Sequence, residues 1–343
     1  MGNYAKTYQH IADILSFETS NNTLESTLKN PTFNWDNIVI EGSKYLVLPA
    51  IYSRLKSREL LHTLPEELNN YLEEIASVNR NRNKSILKQV HSISKILNEN
   101  NINHVFLKGT ALLASGKYND IAERMVGDID ILVEKSQIHE AFNILKSNGY
   151  NKTFGFAYET KDFRHLDRLI SESELAAIEI HSDLLIKKHR SLIDISSVLK
   201  SKIVINDITI PNSYYLSLHQ IWSWQLNDRG HYYNFPSLKV LYDTIVVKSY
   251  TDDNLISSLL ILKYGKSFLE LAKHYFQEFS FIDSTLYMKY IKYSHKITMS
   301  NKLARVTSNI IKVTYFNISK RLHLIFTNRS YLRHILNILF SRK

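Results

Sequence analysis

Cysteine is absent from this 343-residue sequence. Without thiols, the chain can form neither a disulfide framework nor a thiolate zinc site, which is compatible with the cytosol. The first ten residues, MGNYAKTYQH, lack the apolar core of a signal peptide. No run approaches the roughly 18 apolar residues of a membrane span. We therefore expect a cytoplasmic protein, either free or peripheral to a membrane.

Acidic residues are nearly absent from one end of the chain. Residues 281–343 contain twelve lysines and arginines but a single acid, Asp283. This segment carries a formal charge of +11, whereas the whole chain carries +10, so residues 1–280 carry −1. A basic segment with apolar helical spacing over residues 332–339 indicates an anionic partner, either RNA or a membrane surface. The alternative is a C-terminal helix that packs on the body and keeps its charges in water.

Glycine and proline are scarce, with 9 and 5 residues, so the sequence has few helix breakers. Residues 1–100 have helical periodicity, and helical spacing returns from residue 212 onward. Short strand patterns lie between these two parts. We therefore predict an α+β fold with a small mixed-sheet core. Its parts are an N-terminal helical region over 1–100, an α/β core over 101–211, and a C-terminal helical region with a basic tail over 212–343.

Short strands and helices are predicted inside the core. The turn Lys108-Gly109-Thr110 begins a helix at the glycine or at Thr110. Ser136 is predicted to cap a second helix, and Gly149 fits the position that follows its C-terminus. The predicted strands are 104–107, 129–134, a hairpin of 163–170 with 176–182, and a hairpin over 202–210 that turns at Asn206-Asp207.

Two carboxylates interrupt an apolar strand in RMVGDIDILV, residues 124–133. Because side chains alternate along a strand, Asp128 and Asp130 are expected to face the same side. Two close negative charges raise each other's pKa unless a cation lies between them. Since Mg²⁺ prefers carboxylates together with phosphate oxygens and water, a metal site is the simplest explanation. For an isolated pair, two solvated acids at a strand end are the more common arrangement.

Two further features accompany this pair. Upstream, Lys108-Gly109-Thr110 joins a strand to a helix, an arrangement in which backbone N–H groups can face an anion. Downstream, the alternating strand Ala177–His181 places Glu179 and His181 on one face. A glycine turn, two aspartates and a third carboxylate on another strand form a three-part pattern of phosphate and metal chemistry.

A second glycine motif is rejected. Gly265-Lys266-Ser267 looks like the end of a phosphate-binding P-loop. That motif needs a glycine five residues before Gly265, where this chain has Leu260. We therefore assign no phosphate binding to this stretch.

The three-part pattern resembles the bacterial family of uncharacterised nucleotidyltransferases, within the superfamily of nucleotidyltransferases that are similar to DNA polymerase beta. The matching parts are the Leu107-Lys108-Gly109 turn, Arg124 with the DIDILV strand that follows it, and the IEIH strand at residues 178–181. A looser similarity extends over residues 40–250. The resemblance implies a metal-dependent nucleotidyltransferase fold and activity.

The resemblance also implies roles for particular residues. Asp128, Asp130 and Glu179 would be the catalytic carboxylates and would bind the metal, two Mg²⁺ or Mn²⁺ ions that bridge the phosphates of an NTP such as ATP. Gly109 and Thr110 would contact the β- and γ-phosphates through the turn. In-line phosphoryl transfer of this kind depends mostly on positioning and on charge stabilisation.

Three other residues have two possible roles each. Lys108 is either a phosphate ligand or an exposed residue that closes a strand. Arg124 either holds a phosphate through its guanidinium fork or forms an ion pair with Asp128, Asp130 or Glu123. His181 either orients the acceptor and contacts a carboxylate or is a half-buried structural histidine.

The leading hypothesis is a nucleotidyltransferase that moves a nucleoside monophosphate from an NTP to an acceptor and releases pyrophosphate. One alternative is a module that binds nucleotide or RNA without turnover or neutralises a partner protein. Another is a toxin that modifies tRNA or a protein hydroxyl. The sequence leaves the base of the NTP and the acceptor open, so a small molecule, a peptide and an RNA all stay possible.

Overall fold

The computed structural model describes residues 4–155 and 164–340. Within these residues, helices flank a central region that holds the strands, and this confirms the predicted α+β class. The N-terminal helices are α1 Tyr4–Leu15, α2 Asn21–Leu28, α3 Trp35–Lys44, α4 Leu48–Ser57 and α5 Glu66–Glu99.

The central region alternates short strands with short helices. Its elements are β1 His104–Phe106, α6 Lys108–Ala114, β2 Ile129–Val133, α7 Ile138–Ser147, β3 Lys152–Phe154, β4 Arg168–Ile170, β5 Ile178–His181, α8 Ile195–Lys200, β6 Ile203–Ile205 and β7 Ile208–Ile210. The C-terminal helices are α9 Ser213–Trp222, α10 Gly230–Tyr233, α11 Leu238–Val246, α12 Asp253–Ile261, α13 Lys263–Tyr275, α14 Leu286–Ser300, α15 Lys302–Thr327 and α16 Arg329–Phe340.

A mixed sheet with the strand order β1-β2-β5-β4-β3 forms the centre of the fold. Only the β2–β5 pair is parallel among the strand pairs described; β1–β2, β4–β5 and β3–β4 are antiparallel. In the parallel pair, Asp130 lies opposite Glu179 and Leu132 lies opposite His181. Residues opposite each other on neighbouring strands point to the same face, so this register brings the two acids together.

The predicted turn after β1 is present, but its left-handed residue is the lysine. Helix α6 begins at Lys108, whose φ is +50°. A side chain other than glycine rarely adopts this conformation, so the surrounding structure must hold Lys108 in place. Gly109 is needed for close packing instead, because a Cβ on it would lie 3.1 Å from Cγ2 of Val126.

Most of the other core elements agree with the sequence analysis. Both hairpins form, although residue 163 lies outside the described residues. Gly149 has the expected positive φ, +99°, just after α7. The predicted cap at Ser136 is wrong, because a short 3₁₀ turn over Lys135–Gln137 precedes the helix and makes Gln137 its first flanking residue. Strand β3 was not predicted; it is a short, exposed edge strand without apolar alternation.

Helix α5 spans 34 residues and holds the loop that leads to the DIDILV strand. The buried Asn79 and Asn83 donate from their Nδ2 atoms to backbone carbonyls of that loop, at 2.6 Å to Ala122 and 2.7 Å to Arg124. Further along, Gln89 Nε2 donates to the carbonyl of Ala176, just before β5, at 2.8 Å. Polar residues on the buried face of one helix therefore fix the approach to both strands of the parallel pair.

No helix among residues 4–155 and 164–340 combines the length and the apolar character that a bilayer span requires. The division of the chain at residues 100 and 211 stays a prediction.

The rejected glycine motif has a packing explanation that can be tested. Gly265 lies in the first turn of α13, where a Cβ would stand 2.2 Å from the backbone oxygen of Leu259 in α12. We expect Gly265→Ala to lower the free energy of unfolding by about 1–3 kcal/mol, because the two helices must separate. Gly127→Ala is the control, since a Cβ there meets nothing within 4 Å. Urea denaturation would measure both, and equal effects would contradict this explanation.

Candidate metal and nucleotide site

Asp130, Glu179 and His181 form a buried cluster at the parallel strand pair. One possible ligand atom from each residue lies within 4.8 Å of the other two. Carboxylate oxygens suit Mg²⁺ and Mn²⁺, whereas an imidazole nitrogen suits transition-metal ions such as Zn²⁺ and Fe²⁺. The cluster can therefore hold a metal ion, and its donor set fits a divalent cation.

Cationic side chains neutralise the two buried acids of this cluster. Asp130 Oδ1 accepts from Lys108 Nζ at 2.5 Å and lies 2.8 Å from Nε2 of His181. Burial opposes ionisation of Asp130, but Lys108 and His181 outweigh it and hold the pKa of that carboxyl well below its usual range. Glu179 is also buried, but nearby donors, His181 and Arg168, lower its pKa to about 2. Both acids are therefore ionised at neutral pH.

Asp128 lies beside this cluster rather than within it. Its carboxylate is half-exposed, and Oδ2 accepts from Arg168 Nη2 at 2.9 Å. Partial burial raises the pKa of Asp128 above its usual value, with Glu179 and Asp130 adding to the effect and Arg168 opposing it. Asp128 and Asp130 both line the same cavity, as strand alternation predicted.

Arg168 links the two parts of the site, and the sequence analysis missed it. Its Nε donates to Glu179 Oε1 at 2.6 Å while its Nη2 reaches Asp128. The predicted hairpin of 163–170 with 176–182 already placed this arginine near Glu179. That predicted pairing was the only sequence signal that placed Arg168 near the site, because no motif marks an arginine there.

The residues of the glycine turn have different positions. Lys108 forms an ion pair with Asp130, so its amino group already has a partner and the residue does more than close the strand. Gly109 lines the cavity. Thr110 is fully buried, and its Oγ1 lies 3.5 Å from the carbonyl oxygen of Asp128, so its hydroxyl supports the strand entry.

Arg124 forms an ion pair with a residue that the sequence analysis did not consider. Its Nε lies 2.9 and 3.0 Å from the two carboxylate oxygens of Asp243, in α11. Asp243 is fully buried and also accepts hydrogen bonds from the Tyr118 hydroxyl and from Gln220. The expected partners Asp128, Asp130 and Glu123 were therefore wrong; Glu123 instead accepts from the Tyr242 hydroxyl.

A cavity of about 590 Å³ adjoins the cluster, with Asp130 and Glu179 in its wall, and has the size of a small-molecule site. Its wall contains both acidic and basic residues, and the basic ones are more numerous. The acids are Asp128, Asp130 and Glu179, and the cations are Lys108, Arg124, Arg164, Arg168 and Lys239. Such a set of charges can bind a metal ion and the phosphates of a nucleotide together.

Lys239, which α11 contributes, is a second residue that the sequence analysis missed. Within the described parts of the chain, its amino group has no hydrogen bond or ion pair. Burial, with Arg124 nearby, lowers the pKa of Lys239 to about 8. A half-buried cation without a partner carries a desolvation cost, and an anion bound in the cavity would offset that cost.

The sheet thus carries a buried acid–histidine cluster that could hold a metal ion, beside a cavity with more cations than acids. The chain matches the family described as uncharacterised nucleotidyltransferase over residues 31–222, which is more than half of its length. This chain therefore belongs to that family. No curated protein matches it. Lys239 and Asp243 lie beyond the matched residues.

The Arg124–Asp243 pair gives a stability prediction. We expect Arg124→Met to lower the free energy of unfolding by about 3–5 kcal/mol, because Asp243 would stay buried without its guanidinium partner. Arg80→Met is the matched control; its ion pair with Asp120 is partly exposed, so we expect a loss of about 1 kcal/mol or less. Chemical denaturation of both variants would measure the difference. Equal losses would mean that the ion pair with Asp243 is not what Arg124 is needed for, and that its role lies in the cavity.

Lys239 gives a prediction of pH dependence. Its pKa is about 8 in the folded chain against a usual 10.5, so folding disfavours its charged form. This cost is fully present below pH 8 and disappears as the pH rises to 10.5, where both states are neutral. We expect Lys239→Met to raise the free energy of unfolding at pH 7 by about 1–3 kcal/mol. The gain over the wild type should vanish near pH 10.5.

Denaturation curves at several pH values would measure this gain. Lys146→Met, at an exposed position in α7, is the control and should show no such trend. A pH-independent difference for Lys239→Met would show that packing rather than charge causes it.

Proposed function

We propose that this chain is a metal-dependent nucleotidyltransferase that transfers a nucleoside monophosphate from an NTP to an acceptor and releases pyrophosphate. The observation that carries this proposal is the Asp130–Glu179–His181 cluster, whose two acids line a cavity with five basic residues. Family membership supports the same class of reaction. The acceptor oxygen would bond to the α-phosphorus, the bond to the pyrophosphate oxygen would break, and the hydroxyl proton would be released.

The residues of the cavity divide this task by charge. Asp130 and Glu179, ionised at neutral pH, would hold a divalent cation with His181. When bound, such an ion supplies positive charge to the phosphates and favours in-line displacement. Lys108, Arg164, Arg168 and Lys239 would bind the triphosphate and the leaving pyrophosphate through charge-assisted hydrogen bonds. Asp128 would orient Arg168 through their ion pair and so position one of these cations.

The ion pairs of the cluster favour a second candidate function. Lys108 and Arg168 already neutralise Asp130 and Glu179, so the acids do not require a metal to be stable. A module that binds nucleotide through the remaining cations, without turnover, would need no more than this. Release of pyrophosphate in the presence of an acceptor distinguishes the two functions.

The first test is calorimetric titration with ATP, GTP, CTP and UTP, with and without Mg²⁺ or Mn²⁺. We expect metal-dependent binding of at least one NTP by the wild type. Asp130→Asn and Glu179→Gln should each weaken it about 100-fold, because each removes a negative ligand from the cluster. Asp207→Asn, at the tip of the β6–β7 hairpin and outside the cavity, is the matched control and should bind as the wild type does.

Turnover is tested next with α-labelled NTP and a pool of cellular small molecules, peptides and RNA as acceptors. Label transfer with pyrophosphate release, lost in Asp130→Asn, supports the transferase. Binding without any transfer or pyrophosphate supports the non-catalytic module. Full transfer activity in Asp130→Asn would show that the assigned cluster is wrong.

A further inference from the structure

Helix α15 spans 26 residues, and none of them is buried. A helix of this length measures about 39 Å. One side of it presents Ile310, Ile311, Tyr315, Ile318 and Leu322, whose exposed fractions are 60, 61, 67, 54 and 50%. Soluble monomers rarely leave so many large apolar side chains together in water. This side of α15 is therefore left uncovered among the described residues.

The opposite side of α15 is held to the body. The guanidinium of Arg305 lies 4.2 Å from the ring centre of Tyr4, and that of Arg229 lies 3.2 Å from the ring centre of Phe316. Lys312 Nζ also donates to the carbonyl oxygen of Tyr233 at 3.3 Å. These contacts fix the rotation of the helix about its axis, so its apolar side points away from the protein.

The distal end of this helix carries both charge and apolar surface. We define the tip as residues 320–333, which contain the junction of α15 and α16. Phe326 in the tip is 84% exposed. The tip also carries four exposed cations, Lys320, Arg321, Arg329 and Arg333. The two helices, Lys302–Phe340, contain seven lysines and arginines and no acid.

We propose that the tip and the apolar side of α15 dock on an anionic lipid bilayer. Phe326, Leu322 and Ile318 enter the boundary between headgroups and acyl chains, and the cations of the tip meet the lipid phosphates. A basic amphipathic surface attracts anionic lipid through both terms, burial of apolar area and electrostatics. The proposal is independent of the catalytic assignment, because none of these residues lines the cavity of the cluster.

Two other partners fit this surface less well. Single-stranded RNA is bound by aromatic platforms in a basic groove, whereas most exposed side chains here are aliphatic and Phe316 is covered by Arg229. A second copy of the chain, docked through the same surface, would bring together two surfaces of the same strong positive charge without any acid between them. Anionic lipid is the partner that complements both the charge and the aliphatic character.

The test is sedimentation of the full-length protein with vesicles of two compositions. One is phosphatidylcholine alone, and the other is phosphatidylcholine with about 30% phosphatidylglycerol. We expect binding to the anionic vesicles only, weakened by salt. A variant without the four tip cations should bind at least about tenfold more weakly, since each cation near the surface contributes. Phe326→Ser should weaken binding without changing the charge. The variant without the four tip cations combines Lys320→Gln, Arg321→Gln, Arg329→Gln and Arg333→Gln.

The matched control removes four exposed lysines from helices α5 and α7 and should change binding less than about twofold. These substitutions are Lys84→Gln, Lys88→Gln, Lys95→Gln and Lys146→Gln. Absence of binding to anionic vesicles would overturn the proposal, as would an equal loss in the control. Binding to single-stranded RNA but not to vesicles, or a dimer that Phe326→Ser dissociates without any lipid binding, would also overturn it.

Discussion

Neutralisation of the buried carboxylates is the constraint on which this structure depends. Asp130 and Glu179 lie opposite each other in the only parallel strand pair among the described residues, which places two negative charges in the core. Without a partner, each buried charge would lower the free energy of unfolding by several kcal/mol. Lys108, with its unusual positive φ, and Arg168, on the neighbouring strand, provide the opposite charges. The same arrangement creates a cluster of ligands and cations with the chemistry that metal-bound phosphates require.

Helices from outside the sheet complete the site. Asn79 and Asn83 of α5 hold the loop before the DIDILV strand, and Asp243 of α11 binds Arg124 from the opposite side. The same α11 contributes Lys239 to the cavity wall. The family match ends at residue 222, so part of this cavity comes from chain beyond it.

Helix α15 differs from these helices in how it uses its apolar residues. The other long helix, α5, buries one face against the core, whereas α15 buries no residue and contacts the body through cations and rings. Helical spacing is present in both, so periodicity alone does not tell which one faces the core. What separates them is the partner surface that the rest of the fold provides or leaves open.

The sequence by itself determined most of the elements and the carboxylates of the site. Alternation placed Asp128 and Asp130 on one side, a polar interruption predicted the Asn206-Asp207 turn, and the IEIH pattern supplied a strand with Glu179. These are local properties, because side-chain alternation and turn preferences act over a few residues. Only the tertiary structure decided the strand order, the inclusion of His181 rather than Asp128 in the cluster, and the pairing of Arg124 with Asp243. The last two outcomes join residues that are 51 and 119 positions apart, and their charges are matched only when the packed chain brings them together.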